Sequence, residues 1–394
     1  MSLLVSSLAV ATGVTFAAAP DANADTMPTA PEPATVSNDA LPTVQIDGIV
    51  WSQVVIGNTV YVGGSFSNAR PAGAAPGTNL TPRTNILAYD ITTGVLINSF
   101  APTFNGQIQS LAASPDGTRL YAAGDFTNVN GINKYRAVAL NPTNGAVIAS
   151  FSPGFNARTK AVIATNDTVY FGGTFTNVSG VTRTRLAAVS ASNGAVLDWN
   201  PTATGGGNQV TALALTPDKS KVVVGGSFTA LNGEQRFGLG AVNPATGANV
   251  QWDASNLIKN AGTKAGITSL TASNNAIYGT GYVFGGGEAG IPYGNLEGVF
   301  SANPSDGAIN WVNSCHGDTY SAFAMGGVAY SVGHAHDCRT INGFPQTNPW
   351  TWHRAMAFTE NATQVNKTES EGSYYNYAGI AAPSSLNRYP DLAA

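Results

Sequence analysis

The chain has 394 residues, of which 43% are apolar and only 10% charged, with a formal net charge of −4. That apolar content excludes global disorder. The sparse, slightly acidic charge excludes the basic footprint that nucleic acid or an anionic membrane surface requires, so no nucleic-acid partner is expected. From the N-terminus, residues 3–19 form an Ala/Val/Leu-rich run, and Ala22-Asn23-Ala24 follows as a small-x-small cleavage site. This reads as a signal peptide over 1–24, although the first basic residue is Arg70. The alternative for the same run is an N-terminal anchor. Residues 25–40 (DTMPTAPEPATVSNDA) are rich in Pro, Ala and Thr and read as a disordered linker. No later segment is long and apolar enough for a bilayer span, so the mature chain is expected to have none, and to be secreted or held at the cell surface.

A repeat begins after the linker and runs over 41–394 as one domain. VYVGGSF (60–66), LYAAGDF (120–126), VYFGGTF (169–175) and VVVGGSF (222–228) are close copies. IYGTGYV (277–283) and YSVGHAH (330–336) are weaker echoes. Gly64, Gly124, Gly173, Gly226, Gly281 and Gly333 are separated by 60, 49, 53, 55 and 52 residues. A strand-rich period near fifty predicts a β-propeller. Each unit divides into four short antiparallel strands; in the second they are 108–114, 119–123, 137–140 and 146–151. Gly94, Gly145, Gly194, Gly247 and Gly307 mark the turn between the third and fourth strands. The glycine pairs are expected where inner strands crowd the axis, and Phe66, Phe126, Phe175 and Phe228 as wedges between blades. LPTVQIDG (41–48) resembles FAPTFNG (100–106), which predicts an outer strand completing the last blade. LNRYP (386–390) resembles LDWNP (197–201), predicting an outer strand followed by no inner strands. The expectation is six recognisable blades in a seven-bladed ring with one blade truncated at the C-terminus.

The pattern GGxFT-xxxG-xxR-xxxAxxNxxTG-xxxxxFxP, strongest in GGTFTNVSGVTRTRLAAVSASNGAVLDWNP (172–201), resembles the delta-60 repeat propellers of secreted bacterial proteins, a loosely Kelch-like group. The resemblance covers about 41–394. It implies an extracellular propeller and no settled activity.

The sixth repeat departs from this pattern. Every His and Cys of the chain lies between 315 and 353, in CHGDTY, GHAHDC and WTWHR. Two cysteines in an exported protein predict a Cys315–Cys338 disulfide, worth about 3 kcal/mol in the chain-entropy model. Zinc thiolates are the competing reading. His334 and His336, two apart in an extended segment, share a side; with His316 and with Asp337 they form a candidate set for a divalent metal, Zn or Cu. A polar loop with histidines bonded to carbonyls is the plainer alternative, and a metal-free His/Asp acid–base pair a third. Asp318, Tyr320, Phe344, Trp350, Trp352 and His353 form a candidate binding surface, since exposed aromatics among few charges suit sugar faces.

Arg83, Lys134, Arg183 and Arg236 recur at one repeat position, with Arg136, Arg185 and Arg354 two further on. Capping of strand-end carbonyls is the favoured reading, and a positive ring the alternative. Asp125 stands where Ser65, Thr174 and Ser227 stand elsewhere, which hints at a role of its own. GxSxG, HExxH and CxxC are absent. Three functions remain open: a secreted module presenting a disulfide-stapled His/aromatic loop to a glycan or surface protein, an extracellular metal-dependent hydrolase or oxidase, or a structural surface protein whose propeller is a spacer.

Overall fold

The computed structural model describes Val36, residues 41–284, 288–341 and 343–362, and short strands at 364–365, 378–379 and 384–385. The leader expected over 1–24, and the linker apart from Val36, lie outside these residues. The described chain is all-β, with one short helix at Ala254–Leu257 and a 3-10 turn at Arg339–Ile341. Its sheets are antiparallel and form no closed barrel. No helix among the described residues is long and apolar enough to cross a membrane.

Six sheets recur in chain order, each with an inner, a middle and a third strand. They are Ile49–Ile56, Thr59–Ser65 and Ile86–Asp90; Ile108–Ala113, Leu120–Gly124 and Ala137–Leu140; Thr159–Ala164, Thr168–Gly173 and Leu186–Ser190. Then follow Val210–Leu215, Val222–Gly226 and Leu239–Val242; Ala265–Ala272, Ile277–Val283 and Gly298–Ala302; Thr319–Met325, Val328–Ala335 and His353–Thr359. Each inner strand lies against the inner strand of the next sheet. Leu111 N–H donates to Ser52 Oγ at 2.9 Å, Val162 N–H to Ser110 Oγ at 3.2 Å, and Thr271 Oγ1 to the Ala322 carbonyl at 2.7 Å. Farther out, Trp199, Trp252 and Trp311 donate their indole N–H to the carbonyls of Asn243, Asn303 and Glu360, each in the next sheet. Between neighbours lies a continuous apolar layer, such as Tyr121, Phe151, Phe171 and Phe175 between the second and third sheets. Burial of each such aromatic is worth about 2–3 kcal/mol, so the stack is held mainly between sheets.

The glycine pairs answer two separate steric demands. Every inner strand carries a β-bulge at one repeat position, where the extra residue is Trp51, Gln109, Lys160, Thr211, Thr268 or Tyr320. The bulge brings a carbonyl over the second glycine: a Cβ on Gly226 would sit 2.2 Å from the Gln209 oxygen, and one on Gly173 2.2 Å from that of Arg158. The first glycine instead receives a β-branched side chain of the next sheet. A Cβ on Gly63, Gly172 or Gly225 would lie 2.6, 2.5 or 2.7 Å from Ile108, Val210 or Ile267. Phe126, Phe175 and Phe228 are fully buried beside them.

Two expectations are corrected, and a third falls outside the described residues. In the first four sheets the fourth strand shrinks to single bridges, Tyr89–Leu96, Leu140–Val147, Val189–Val196 and Val242–Asn249. Pro102, Pro153 and Pro201 follow the first three, and a helix follows the last; proline cannot continue the ladder. Ile309–Ser314, which no proline follows closely, runs as a full strand. Residues 41–48 do not join the last sheet: Gln45 and Ile46 pair with Arg70 and Ala69, and Val44 and Ile46 pack on the first sheet. At the other end Ser384–Ser385 pairs with Met356 and Ala357 as the sixth sheet's fourth strand, while 386–390 lie outside the described residues.

The recurring basic residues cap carbonyls. Arg83 donates to Pro82, Lys134 to Phe151, Arg183 to Thr182 and Leu197, and Arg136 to Phe155. Lys134 is 3% exposed, so its aliphatic stem belongs to the core.

Candidate functional site

One backbone hydrogen bond places the ends of the inner and middle strands side by side in several sheets. It runs from Asp125 N–H to the Gln107 carbonyl, from Thr174 to Arg158, from Ser227 to Gln209 and from His334 to Asp318. His334 and Asp318 are therefore the sixth sheet's versions of positions held elsewhere by Thr174 and Arg158. Glycine occupies the position before His334 because a Cβ on Gly333 would lie 2.4 Å from the Asp318 carbonyl.

The sixth sheet adds a long loop, 336–352, between its middle and third strands. Cys315 and Cys338 form a disulfide that ties this loop to the end of the fifth sheet, and both are almost fully buried. His336 N–H donates to the carbonyl of His316 at 2.9 Å, and Cys338 N–H to that of Phe344 at 2.8 Å. The loop is thus fixed covalently at its start and folded back on itself.

The fixed loop carries an aromatic array. Trp350 stacks on His336 with centroids 4.3 Å apart and 17° between planes. Trp352 meets His334 at 5.1 Å, His336 at 5.4 Å and Trp350 at 5.3 Å, all edge-on. Tyr320, the bulge residue of this sheet, stands 5.9 Å from His334. Tyr320, Trp350 and Trp352 remain 51%, 49% and 38% exposed. Carboxylates underlie the array: His334 Nε2 is 3.4 Å from Asp318 Oδ2, and His316 Nδ1 is 3.8 Å from Glu297 Oε2. Burial pushes the Glu297 carboxyl up, against the pull of His316. Burial, and then the neighbouring His316, hold the His336 imidazole below its ordinary value, so it is neutral at pH 7.

The metal set His316, His334, His336 and Asp337 is not brought together. Among the described residues no three His, Cys, Asp or Glu are placed to share an ion. Burial pushes the Asp337 carboxyl up, but Arg339 outweighs it by donating Nε at 2.8 Å and Nη2 at 2.5 Å, and the carboxyl ends below its usual range. The cysteines are spent on the disulfide, and the Nδ1 atoms of His334 and His336 are buried. His334 turns Nε2 to Asp318, and its other ring nitrogen, Nδ1, is buried. Phe344 and His353 also differ from expectation. They stack with centroids 3.4 Å apart, Phe344 is 6% exposed, and burial lowers the His353 imidazole to about 4. They support the loop from beneath. Asp318, Tyr320, Trp350 and Trp352 are the members of the proposed surface that gather at the rim.

Glu297 escaped the sequence reading because it lies in the weakly repeating fifth unit, and only the fold brings it to His316. Asp125, which the sequence did single out, accepts from Arg158 Nε at 2.5 Å and Gln107 Nε2 at 2.7 Å.

No family model matches the chain, and no curated protein does. Among solved structures it is similar to the computationally designed Ika8 protein, with a TM-score of 0.45 and 12% identity, covering 84% of this chain and 95% of that one.

Proposed function

We propose that the chain is an exported binding module, a β-propeller of the delta-60 repeat type whose sixth blade offers an aromatic platform to a glycan. Side-by-side stacking of six sheets through their inner strands supports the propeller. The two end sheets support a ring with room for a seventh blade. Val50 is 37% exposed, whereas its counterparts Ile108, Thr159, Val210, Ile267 and Thr319 are buried under a preceding sheet. Val332 is 48% exposed, whereas Gly63, Ala123, Gly172, Gly225 and Thr280 are buried under a following one. The disulfide and the apolar run at 3–19 support export.

The observation that carries the function is the exposed trio Tyr320, Trp350 and Trp352: the disulfide loop holds both tryptophans against neutral His336, and the bulged strand sets Tyr320 beside His334. Flat rings held half in water offer C–H stacking to a sugar face, and their fixed geometry lowers the ordering cost of binding. The test is binding to a panel of immobilised glycans, followed by titration of the best ligand. Trp350→Ala and Trp352→Ala are each expected to weaken affinity about 5–10-fold, the worth of one stacked ring. A panel that retains no protein, or a double variant that binds as tightly as the wild type, would refute the reading.

A further inference from the structure

The rim position of Asp318 has a contrasting counterpart in the third sheet. There the residue before the bulge strand is Arg158, where the second and fourth sheets carry Gln107 and Gln209. The bulge residue is Lys160, where the other sheets carry Trp51, Gln109, Thr211, Thr268 and Tyr320. The two cations stand beside Arg136 in an open depression of about 650 Å³, also lined by Asp125, Thr174 and Gln209. Three cations thus face one carboxylate in a chain whose formal net charge is −4.

That carboxylate is fully engaged. Asp125 Oδ1 takes Arg158 Nε and Oδ2 takes Gln107 Nε2, which aims the guanidinium and leaves its two terminal amino groups without a hydrogen bond among the described residues. Arg136 has Nη1 on the Phe155 carbonyl. Lys160 Nζ makes no hydrogen bond or ion pair among the described residues. Burial holds its ammonium below the usual range, the Arg158 charge adds to this, and Asp125 partly offsets it. A half-buried ammonium beside an oriented guanidinium is an incomplete arrangement that an oxyanion completes, through charge-assisted hydrogen bonds to both. The depression is far larger than a lone ion needs, and Thr174 and Gln209 add polar groups suited to hydroxyls.

We propose that this depression binds an acidic saccharide, with a carboxylate or sulfate ester seated between Lys160 and Arg158. The site stands independently of the aromatic platform. Calorimetric titration of the full chain would use a galacturonate oligomer, a sulfated dextran oligomer, a neutral dextran oligomer and inorganic sulfate, at 20 and 150 mM salt. The acidic saccharides are expected to bind, more weakly at the higher salt. Neutral dextran is not expected to use this site, and inorganic sulfate should bind at least tenfold more weakly than the better saccharide. Lys160→Gln should lower acidic-saccharide affinity at least tenfold and Lys160→Arg less than threefold. Arg158→Gln should match Lys160→Gln, and the Trp350→Ala/Trp352→Ala pair should bind these probes normally. Binding of the carboxylate but not the sulfate probe, or the reverse, identifies which oxyanion the site takes. The proposal is overturned if neither acidic saccharide binds, or if Lys160→Gln and Arg158→Gln variants with wild-type melting temperatures bind as the wild type does. Sulfate binding as tightly as the saccharides would also overturn it.

Discussion

Removing the His353 imidazole should flatten the stability of the protein between pH 7 and pH 5. In the folded chain burial lowers this imidazole to about 4, from an ordinary value near 6.5, with the ring against Phe344. Between those values the unfolded chain takes up a proton that the folded chain refuses. Stability is therefore full above pH 6.5 and is lost as the pH falls towards 4. The whole difference corresponds to about 3 kcal/mol. Water still reaches part of the ring, and screening reduces the sum to roughly 1.5 kcal/mol, or about 1 kcal/mol at pH 5. Carboxylates held low in the folded state, such as Asp90 and Asp116, lose their contribution at lower pH, and His336 adds a smaller slope of the same sign. Those contributions are common to the wild type and His353→Phe, so the difference between the two isolates His353. Urea denaturation at pH 7, 6 and 5 should show the wild type losing about 1 kcal/mol more than the variant. Parallel pH curves would refute the claim that His353 and Phe344 form a buried support rather than a binding surface.

Gly226→Ala should destabilise by about 2–4 kcal/mol in denaturant titration, because its Cβ would meet the Gln209 carbonyl at 2.2 Å. Gly233→Ala, with open space and a φ of +79°, should cost only about 1 kcal/mol, and equal losses would contradict the bulge argument. The Cys315→Ala/Cys338→Ala pair should cost about 3 kcal/mol and speed amide exchange in 336–352. Unchanged exchange there would mean that the disulfide does not order the loop.

The repeat was legible because two steric demands, a bulge carbonyl and a neighbouring β-branched side chain, each call for a small residue once per unit. Gly64 and Gly226, or Gly63 and Gly225, therefore recur in the sequence although no helix or long strand marks the period. The disulfide was legible because the chain has just two cysteines. The sorting of the histidines was not. Whether His336 faces a metal or a tryptophan depends on how 336–352 folds back, and that path is set by Cys338 N–H bonding to the Phe344 carbonyl. Asp337 looked like a ligand because the sequence does not reveal that Arg339 folds back to claim it. The Lys160 depression was hidden for a related reason. Its cations come from Arg158 just before and Lys160 within one bulged strand, and from Arg136 beside the preceding sheet, and only the packing of the sheets joins them.

Hydroxyl-radical footprinting of the full chain, with and without its best saturating neutral glycan, tests the aromatic platform most directly. The account predicts protection of Tyr320, Trp350 and Trp352, with Trp51 on the first sheet unaffected. Unchanged labelling of all three rings under saturation, or protection confined to other surfaces, would contradict it.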